Sequence, residues 1–181
     1  MSQYQLFSPD TEVIGQAVID FEQAVGSEQF MHILKKHGLS NVQPDTWYPA
    51  QQWVNVLNDI NELGNIFNFV SIGMTQVKNL HLPAEFEQLS LMEKVHMADD
   101  IYNMNYRGSD IGSVHAETVS ETHAKLIIRV FEPDDLWYGA AYGFMRQFAP
   151  EGTKFRVYYD EDSLQQGIDR HGEKTIIHMT W

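Results

Sequence analysis

The spacing of apolar residues changes once along this chain, and this change constrains the fold more than any other feature. Up to about residue 105, apolar residues recur every three to four positions, as in an amphipathic helix. After Arg107 and Gly108, they fall in short runs rich in β-branched residues, as in strands. A helical half followed by a group of strands is typical of α+β folds. We therefore predict an α+β fold with a helical half over residues 1–105 and a small antiparallel sheet over residues 106–181.

The breaks in these two patterns predict the order of the elements. Glycines and prolines divide the first half into five candidate helices, over residues 11–25, 27–37, from 46 or 47 to about 60, 66–80 and 85–102. In the second half, strands over 111–118 and 124–131 precede a helix over 134–148, and strands over 155–159 and 175–181 follow. This is the order β-β-α-β-β. Because only a short polar connection separates the halves, we expect a single domain over residues 1–181 with a shared core.

The charge of the chain excludes several classes of partner. Its 181 residues include 12 Lys and Arg against 25 Asp and Glu, which gives a net charge of −13. Such an excess of acid argues against nucleic-acid binding and against an anionic membrane surface. No apolar run approaches the roughly 18 residues of a membrane span, and the first residues do not resemble a signal peptide. We therefore expect a cytoplasmic protein with no membrane span and no nucleic-acid partner.

Common catalytic and metal-binding motifs are absent from the sequence. It contains no cysteine, no H-E-x-x-H, no G-x-S-x-G, no G-x-G-x-x-G and no P-loop. Three histidines, His115, His123 and His178, lie on predicted strands and could converge, but their spacing is not that of a known metal motif. The acidic pair at Asp134 and Asp135 fits the first turn of a helix, where the dipole favours it. We assign no catalytic or metal-binding residue, and a non-enzymatic protein is the favoured interpretation.

Several short segments, taken in order, resemble a known family. They are Tyr106-Arg107-Gly108, Ile111-Gly112, the strand 126–130, Gly139 and Gly143 within one helix, the closing strand that ends in Trp181, and the segment 31–38 in the helical half. This layout resembles the ligand-binding domains of NO signalling and Golgi transport: haem-nitric-oxide/oxygen-binding (H-NOX) domains, four-vinyl-reductase domains and TRAPP subunits. The resemblance implies a pocket for a small hydrophobic molecule, such as haem, another tetrapyrrole or a lipid, between helices and sheet.

The sequence departs from the H-NOX pattern where that family holds haem. H-NOX domains carry a Tyr-x-Ser-x-Arg motif for the haem propionates, whereas residues 129–135 read Arg-Val-Phe-Glu-Pro-Asp-Asp in this chain. Acidic groups therefore stand where cations would be needed. The family's haem-ligating histidine precedes the sheet, and His96 and His81 are the candidates by position. The cofactor is left open, because haem is allowed by the resemblance but not supported by this motif.

The abundant aromatic and methionine residues predict where the ligand would lie. Phe, Trp and Tyr together make up 12% of the chain. Such residues can simply fill a core, or they can line an adaptable apolar cavity. Under the second interpretation, the predicted pocket is bounded by Trp53, Phe69, Met74, Met92, His96, Tyr102, Trp137 and Phe144.

Three functions are compatible with these sequence features. The first is a non-catalytic sensory or carrier domain that binds a small hydrophobic ligand and signals through a partner protein. The second is a dimeric scaffold of the TRAPP type without a ligand, and the third is a tetrapyrrole-processing protein. We also expect a homodimer formed by the N-terminal helices, because their apolar faces are broad. The residues of these faces include Val13, Ile14, Val18, Phe21 and Val25.

Overall fold

The computed structural model describes residues 3–64, 68–80, 82 and 84–181. The α-helices are α1 (Gly15–Val25), α2 (Glu28–Lys36), α3 (Ala50–Glu62), α4 (Phe69–Gln76), α5 (Leu91–His96), α6 (Ala98–Asn105), α7 (Asp134–Phe148) and α8 (Glu161–Gln166). The strands are β1 (Glu12–Ile14), β2 (Trp47–Pro49), β3 (Tyr106–Arg107), β4 (Ser113–Ser120), β5 (His123–Arg129), β6 (Arg156–Tyr159) and β7 (Thr175–Thr180). Short 3-10 helices cover Val77–Asn79 and Ala84–Gln88. The predicted α+β class is confirmed.

Local sequence signals explain several of the helix ends. Ser27 caps α2 by accepting a hydrogen bond from the backbone N–H of Phe30, and Gly38 follows this helix with a positive φ of 76°. Ser90 and Glu93 form a capping box at the start of α5. This box breaks the predicted helix over residues 85–102 into a 3-10 turn, α5 and α6.

Two of the predicted helices begin later than expected, because their first residues are strands. Residues 12–14 and 47–49 pair antiparallel, and β3 joins them in a sheet of order β2-β1-β3. Three-residue strands are too short for their alternation to stand out beside a helical pattern. Val13 pairs with both Tyr48 and Tyr106, so this small sheet fastens the start of the helical half to the seam between the halves.

The larger sheet is antiparallel and has the strand order β4-β5-β7-β6. Alternate residues of β5, among them Ala124, Leu126 and Ile128, are buried, as expected for a sheet with one covered face. They belong to one hydrophobic core that also includes Trp53 and Leu57 of α3. The N-terminal and C-terminal halves therefore contribute to the same core.

Helix α7 packs against α4 at very short range because glycines lie at the contact. A Cβ atom added at Gly139 would lie 2.1 Å from the Val70 carbonyl oxygen, and one at Gly73 would lie 2.0 Å from that of Leu136. Gly143 contributes to the same contact, because a Cβ atom added there would lie 2.8 Å from the Met74 carbonyl oxygen.

The apolar face of α1 is covered within the chain itself. Val13, Val18 and Phe21 are fully buried. They do not form the exposed patch on which the homodimer prediction rested, so that premise is wrong. Among the helices in the described part of the chain, none combines the length and the apolar character that a membrane span needs.

Candidate ligand-binding cavity

A cavity of about 410 Å³ lies where the helical half meets α7. Its volume is in the range of small-molecule sites, about 300–1,000 Å³. Helices α1, α3, α4, α6 and α7 all contribute to its wall, which is mainly apolar. The apolar and aromatic lining residues are Ile14, Ala17, Pro44, Trp53, Val77, Leu80, Leu82, Ile101, Met104, Tyr106, Leu136, Trp137 and Ala140.

One end of the cavity is polar and is organised around Glu132. This buried carboxylate accepts hydrogen bonds from the Tyr106 hydroxyl at 2.5 Å and from the Trp137 indole N–H at 3.1 Å. Burial raises the pKa of Glu132, although these donors oppose the shift. Burial, reinforced by the neighbouring carboxylate, also raises the pKa of Tyr106 well above its ordinary value. The Trp53 indole N–H lies near the carboxylate as well, but it completes no hydrogen bond.

The charges on the cavity wall all have one sign. Asp20, Asp45 and Glu132 line it, whereas its described lining residues include no lysine, arginine or histidine. Asp20 accepts a hydrogen bond from the Gln16 side chain at 2.7 Å. Asp45 is exposed in the loop before β2. A low-dielectric cavity with acidic walls concentrates a negative potential inside it.

A second cavity of about 70 Å³ extends from the first toward the sheet. It shares Val77, Leu80, Ile101, Trp137 and Ala140 with the larger cavity and reaches Leu126 and Met179 on the inner face of the sheet. Lys94, only 8% exposed, also lines it, and its ammonium lies 5.4 Å from the Phe86 ring and 5.5 Å from the Phe148 ring. The smaller cavity is therefore an apolar extension with a single, aromatic-covered cation at its edge.

The structure brings only part of the predicted pocket together. Trp53 and Trp137 line the larger cavity, and Trp137 and Phe144 line the smaller one. Tyr102 is fully buried beside Trp137, with 5.5 Å between the ring centroids, and donates a hydrogen bond to the Ile111 carbonyl. Tyr102 lines neither cavity, and the same is true of Phe69, Met74, Met92 and His96.

Of the two histidines predicted as possible haem ligands, the structure describes His96 but not His81. His96 is exposed, and its Nε2 lies 2.9 Å from the Thr118 hydroxyl of β4. It occupies the last position of α5 and lines neither cavity. His81 lies outside the described residues. No group of three or more potential metal ligands occurs in the described part of the chain.

The stretch aligned with the propionate-binding motif is engaged in contacts within the protein. Arg129 forms a bidentate pair with Asp110, at 2.9 and 3.0 Å. Asp134 accepts hydrogen bonds from the Thr175 hydroxyl and from the backbone N–H of Asp169. Of residues 129–135, only Glu132 lines the larger cavity, and it contributes a negative charge rather than a positive one.

Glu132, the central polar residue of the cavity, is absent from the pocket predicted from sequence. One sequence feature could have indicated it: Glu132 is an acidic residue between Phe131 and Pro133, next to the apolar residues of a strand. A carboxylate in such surroundings requires hydrogen-bond partners. Tyr106 belongs to a segment that supports the family resemblance, but no role in the pocket was predicted for it. Their meeting depends on contacts between distant segments, which spacing along one chain does not reveal.

A separate polar cluster lies on β5, β6 and β7. His123 Nε2 is 2.8 Å from His178 Nδ1, and His178 Nε2 is 3.1 Å from an Asp160 oxygen. The Tyr158 ring stacks on His178 with 5.0 Å between centroids. His115, the third histidine of the expected group, does not join them, because it pairs with Ile127 on β5.

Comparison with known proteins identifies solved structures that share this fold. By sequence alone, no family model and no curated relative matches. Three similar solved structures are a Cs H-NOX mutant (15% identity, TM-score 0.67, covering 92% of this chain and 95% of that one), an oxygen-binding H-NOX domain related to soluble guanylate cyclases (15%, 0.66, 92% and 93%), and a protein studied for the modulation of haem redox potential by porphyrin distortion (14%, 0.63, 92% and 97%). The agreement extends over nearly the whole of each chain. The chain therefore has the fold of H-NOX domains, as the resemblance in its sequence predicted.

Proposed function

We propose that this protein is a non-catalytic sensory module that binds a small, largely apolar molecule in the 410 Å³ cavity and acts through a partner protein. The observation that carries the proposal is the cavity itself. It is mainly apolar, it has a few polar groups at one end, and it lies within an H-NOX fold. These are the usual properties of a small-molecule site.

The position of the cavity supports a sensory role. Its wall contains residues of α1 and α3 from the helical half together with Leu136, Trp137 and Ala140 of α7. A ligand in this cavity contacts both halves at once, so its binding energy favours whichever arrangement of α7 against α1 fits it best. If α7 moves relative to α1 when the ligand binds, the protein surface changes, and a partner protein can recognise that change.

The described residues do not fit haem as the ligand. An iron ligand must project into the cavity, and no described histidine lines it. The haem propionates require cations, whereas Asp20, Asp45 and Glu132 line the larger cavity. The proposal therefore concerns a ligand other than haem, and no step of the function depends on a tetrapyrrole.

A thermal-shift experiment with a blocked cavity tests the proposal. Ala140 lines both cavities, so Ala140→Phe fills the space, and Gln147→Phe on the exposed side of the same helix is the matched control. We expect small apolar probes such as 1-hexanol to raise the Tm of the wild type and of Gln147→Phe, and not that of Ala140→Phe. If no apolar probe raises the Tm of the wild type, the binding function is refuted and the scaffold interpretation is left.

A further inference from the structure

We propose that the ligand of this cavity is a small organic cation, an amine or quaternary ammonium compound with an apolar body, and that Glu132 is its counter-charge. This inference rests on the proposed function, since it names the ligand class of the same cavity. It goes further by assigning the polar end of the site a sign of charge and a recognising residue.

The first argument is the balance of charge around the cavity. Three carboxylates line it, those of Asp20, Asp45 and Glu132. Asp20 is engaged within the chain, and the described lining residues offer no cationic side chain to Asp45 or Glu132. The chain as a whole carries a net charge of −13, so the surrounding field has the same sign. Such a cavity attracts cations and repels anions. A fatty acid or another carboxylate would add a fourth negative charge to this site.

The second argument is the bonding of Glu132. Both of its hydrogen-bond donors, Tyr106 and Trp137, are neutral. Among the ion pairs in the described part of the chain, none includes Glu132. An ionised carboxylate can accept about four hydrogen bonds, so capacity remains on the side that borders the cavity. Burial disfavours the charged form of this carboxylate, and a cationic ligand would stabilise that form by pairing with it.

The third argument is the aromatic surrounding of this carboxylate. Trp53, Tyr106 and Trp137 all line the cavity at its polar end. Tryptophan and tyrosine rings attract ammonium groups through cation–π interactions, most strongly when water is excluded. Aromatic rings combined with a carboxylate therefore favour an ammonium group over a neutral alcohol of the same size.

The remainder of the cavity determines the body of the ligand. Val77, Leu80, Ile101 and Leu136 line it, and the smaller apolar cavity continues from it toward the sheet. An unbranched or cyclic hydrocarbon chain attached to the ammonium group would bury its surface there. The ammonium group would thus lie at the Glu132 end, and the hydrocarbon would extend toward the sheet, where the lining is apolar apart from Lys94 at its edge.

Three probes with the same six-carbon chain test the inference by isothermal titration calorimetry. At about pH 7, hexylammonium is cationic, 1-hexanol is neutral and hexanoate is anionic. We expect hexylammonium to bind about ten-fold more tightly than 1-hexanol, and hexanoate to bind more weakly than either. Glu132→Gln should reduce the preference for the cation to about three-fold or less, and Glu151→Gln, an exposed control outside the cavity, should leave it unchanged.

Asp45→Asn gives a second test that does not disturb the buried network. Asp45 is exposed at the cavity, so its loss should not unfold the protein but should lower the affinity for hexylammonium and not for 1-hexanol. If 1-hexanol binds as tightly as hexylammonium, the cation inference is overturned while the cavity function stands. If the preference is undiminished in a folded Glu132→Gln variant, the assignment of Glu132 is overturned. If no probe binds, the proposed function fails and the inference fails with it.

Discussion

Substitution of Gly139 by alanine should force α4 and α7 apart. Its added Cβ atom would lie 2.1 Å from the Val70 carbonyl oxygen, more than 1 Å short of an ordinary contact, which begins at 3.4 Å. The obstructing atom belongs to the backbone of α4, so no side-chain rotation can relieve the clash. The two helices must separate, and Leu136, Trp137 and Ala140, which line the cavity, move with α7.

The expected loss of stability follows from two opposing effects. Overpacking of a close contact costs about 1–3 kcal/mol, and a clash with backbone belongs at the upper end. Alanine inside a helix is better than glycine by about 1 kcal/mol, which offsets part of this cost. We therefore expect Gly139→Ala to lower the free energy of unfolding by about 2 kcal/mol. For a protein of this length, that is a fall in Tm of about 4–8 °C.

Differential scanning calorimetry of two variants checks this value. Ser71→Ala, on the exposed side of α4, is the control, because it adds no atom at the contact and should not lower the Tm. A Gly139→Ala protein whose Tm equals or exceeds that of the wild type would show that the helices do not approach at this point. This result would refute the close packing of α7 on α4, and it would also refute the cavity shape that depends on that packing.

Three further predictions concern other parts of the molecule. Haem should not form a tight stoichiometric complex with the protein, and a stoichiometric complex whose Soret band is lost on His96→Ala or His81→Ala would contradict this. Burial raises the pKa of Asp169 to about 6, so the folded state binds this proton more tightly than the unfolded state. Stability should therefore fall by about 3 kcal/mol as pH rises from about 3 to about 7, and about 2 kcal/mol of this fall should occur between about pH 4 and pH 6. Urea unfolding should show a smaller fall for Asp169→Asn, and an equal one would refute the assignment. Asn58→Ala should cost about 2–4 kcal/mol, because it leaves the buried backbone N–H and carbonyl of Tyr4 unpaired, whereas the exposed Gln51→Ala should cost under about 0.5 kcal/mol in the same assay.

Patterns along the sequence predicted the elements that are long and bounded by strong signals. Helix α7 was predicted at residues 134–148, as observed, because Pro133 and two aspartates mark its start and Pro150 follows its end. The four strands of the larger sheet and α7 were also predicted in their observed sequence, because each of these strands exceeds three residues. The predicted order β-β-α-β-β is wrong in one respect, since the short helix α8 lies between β6 and β7 and its six residues are too few to establish a helical period. Strands β1 and β2 were missed, since three residues do not establish a period.

The candidate site was less predictable, because it depends on orientation and on contacts between distant segments. Periodicity placed Trp53 and Trp137 on inward faces, and both line the cavity. The same reasoning turned His96 inward, but the break after α5 places it on the surface. Glu132 receives its partners from β3 and from α7, a meeting that only the three-dimensional structure shows.

One carboxylate, that of Asp169, connects parts of the molecule that are far apart in sequence. It accepts hydrogen bonds from the backbone N–H of Asp134, at the start of α7, and from the Tyr4 hydroxyl. The backbone of Tyr4 is in turn held on both sides by the Asn58 side chain of α3. The first turn of α7, next to the ligand cavity, is thus linked to α3 by a chain of hydrogen bonds that bypasses the sheet. Because α3 and α7 both line the cavity, this route joins two of its walls through side chains and backbone groups that lie outside it.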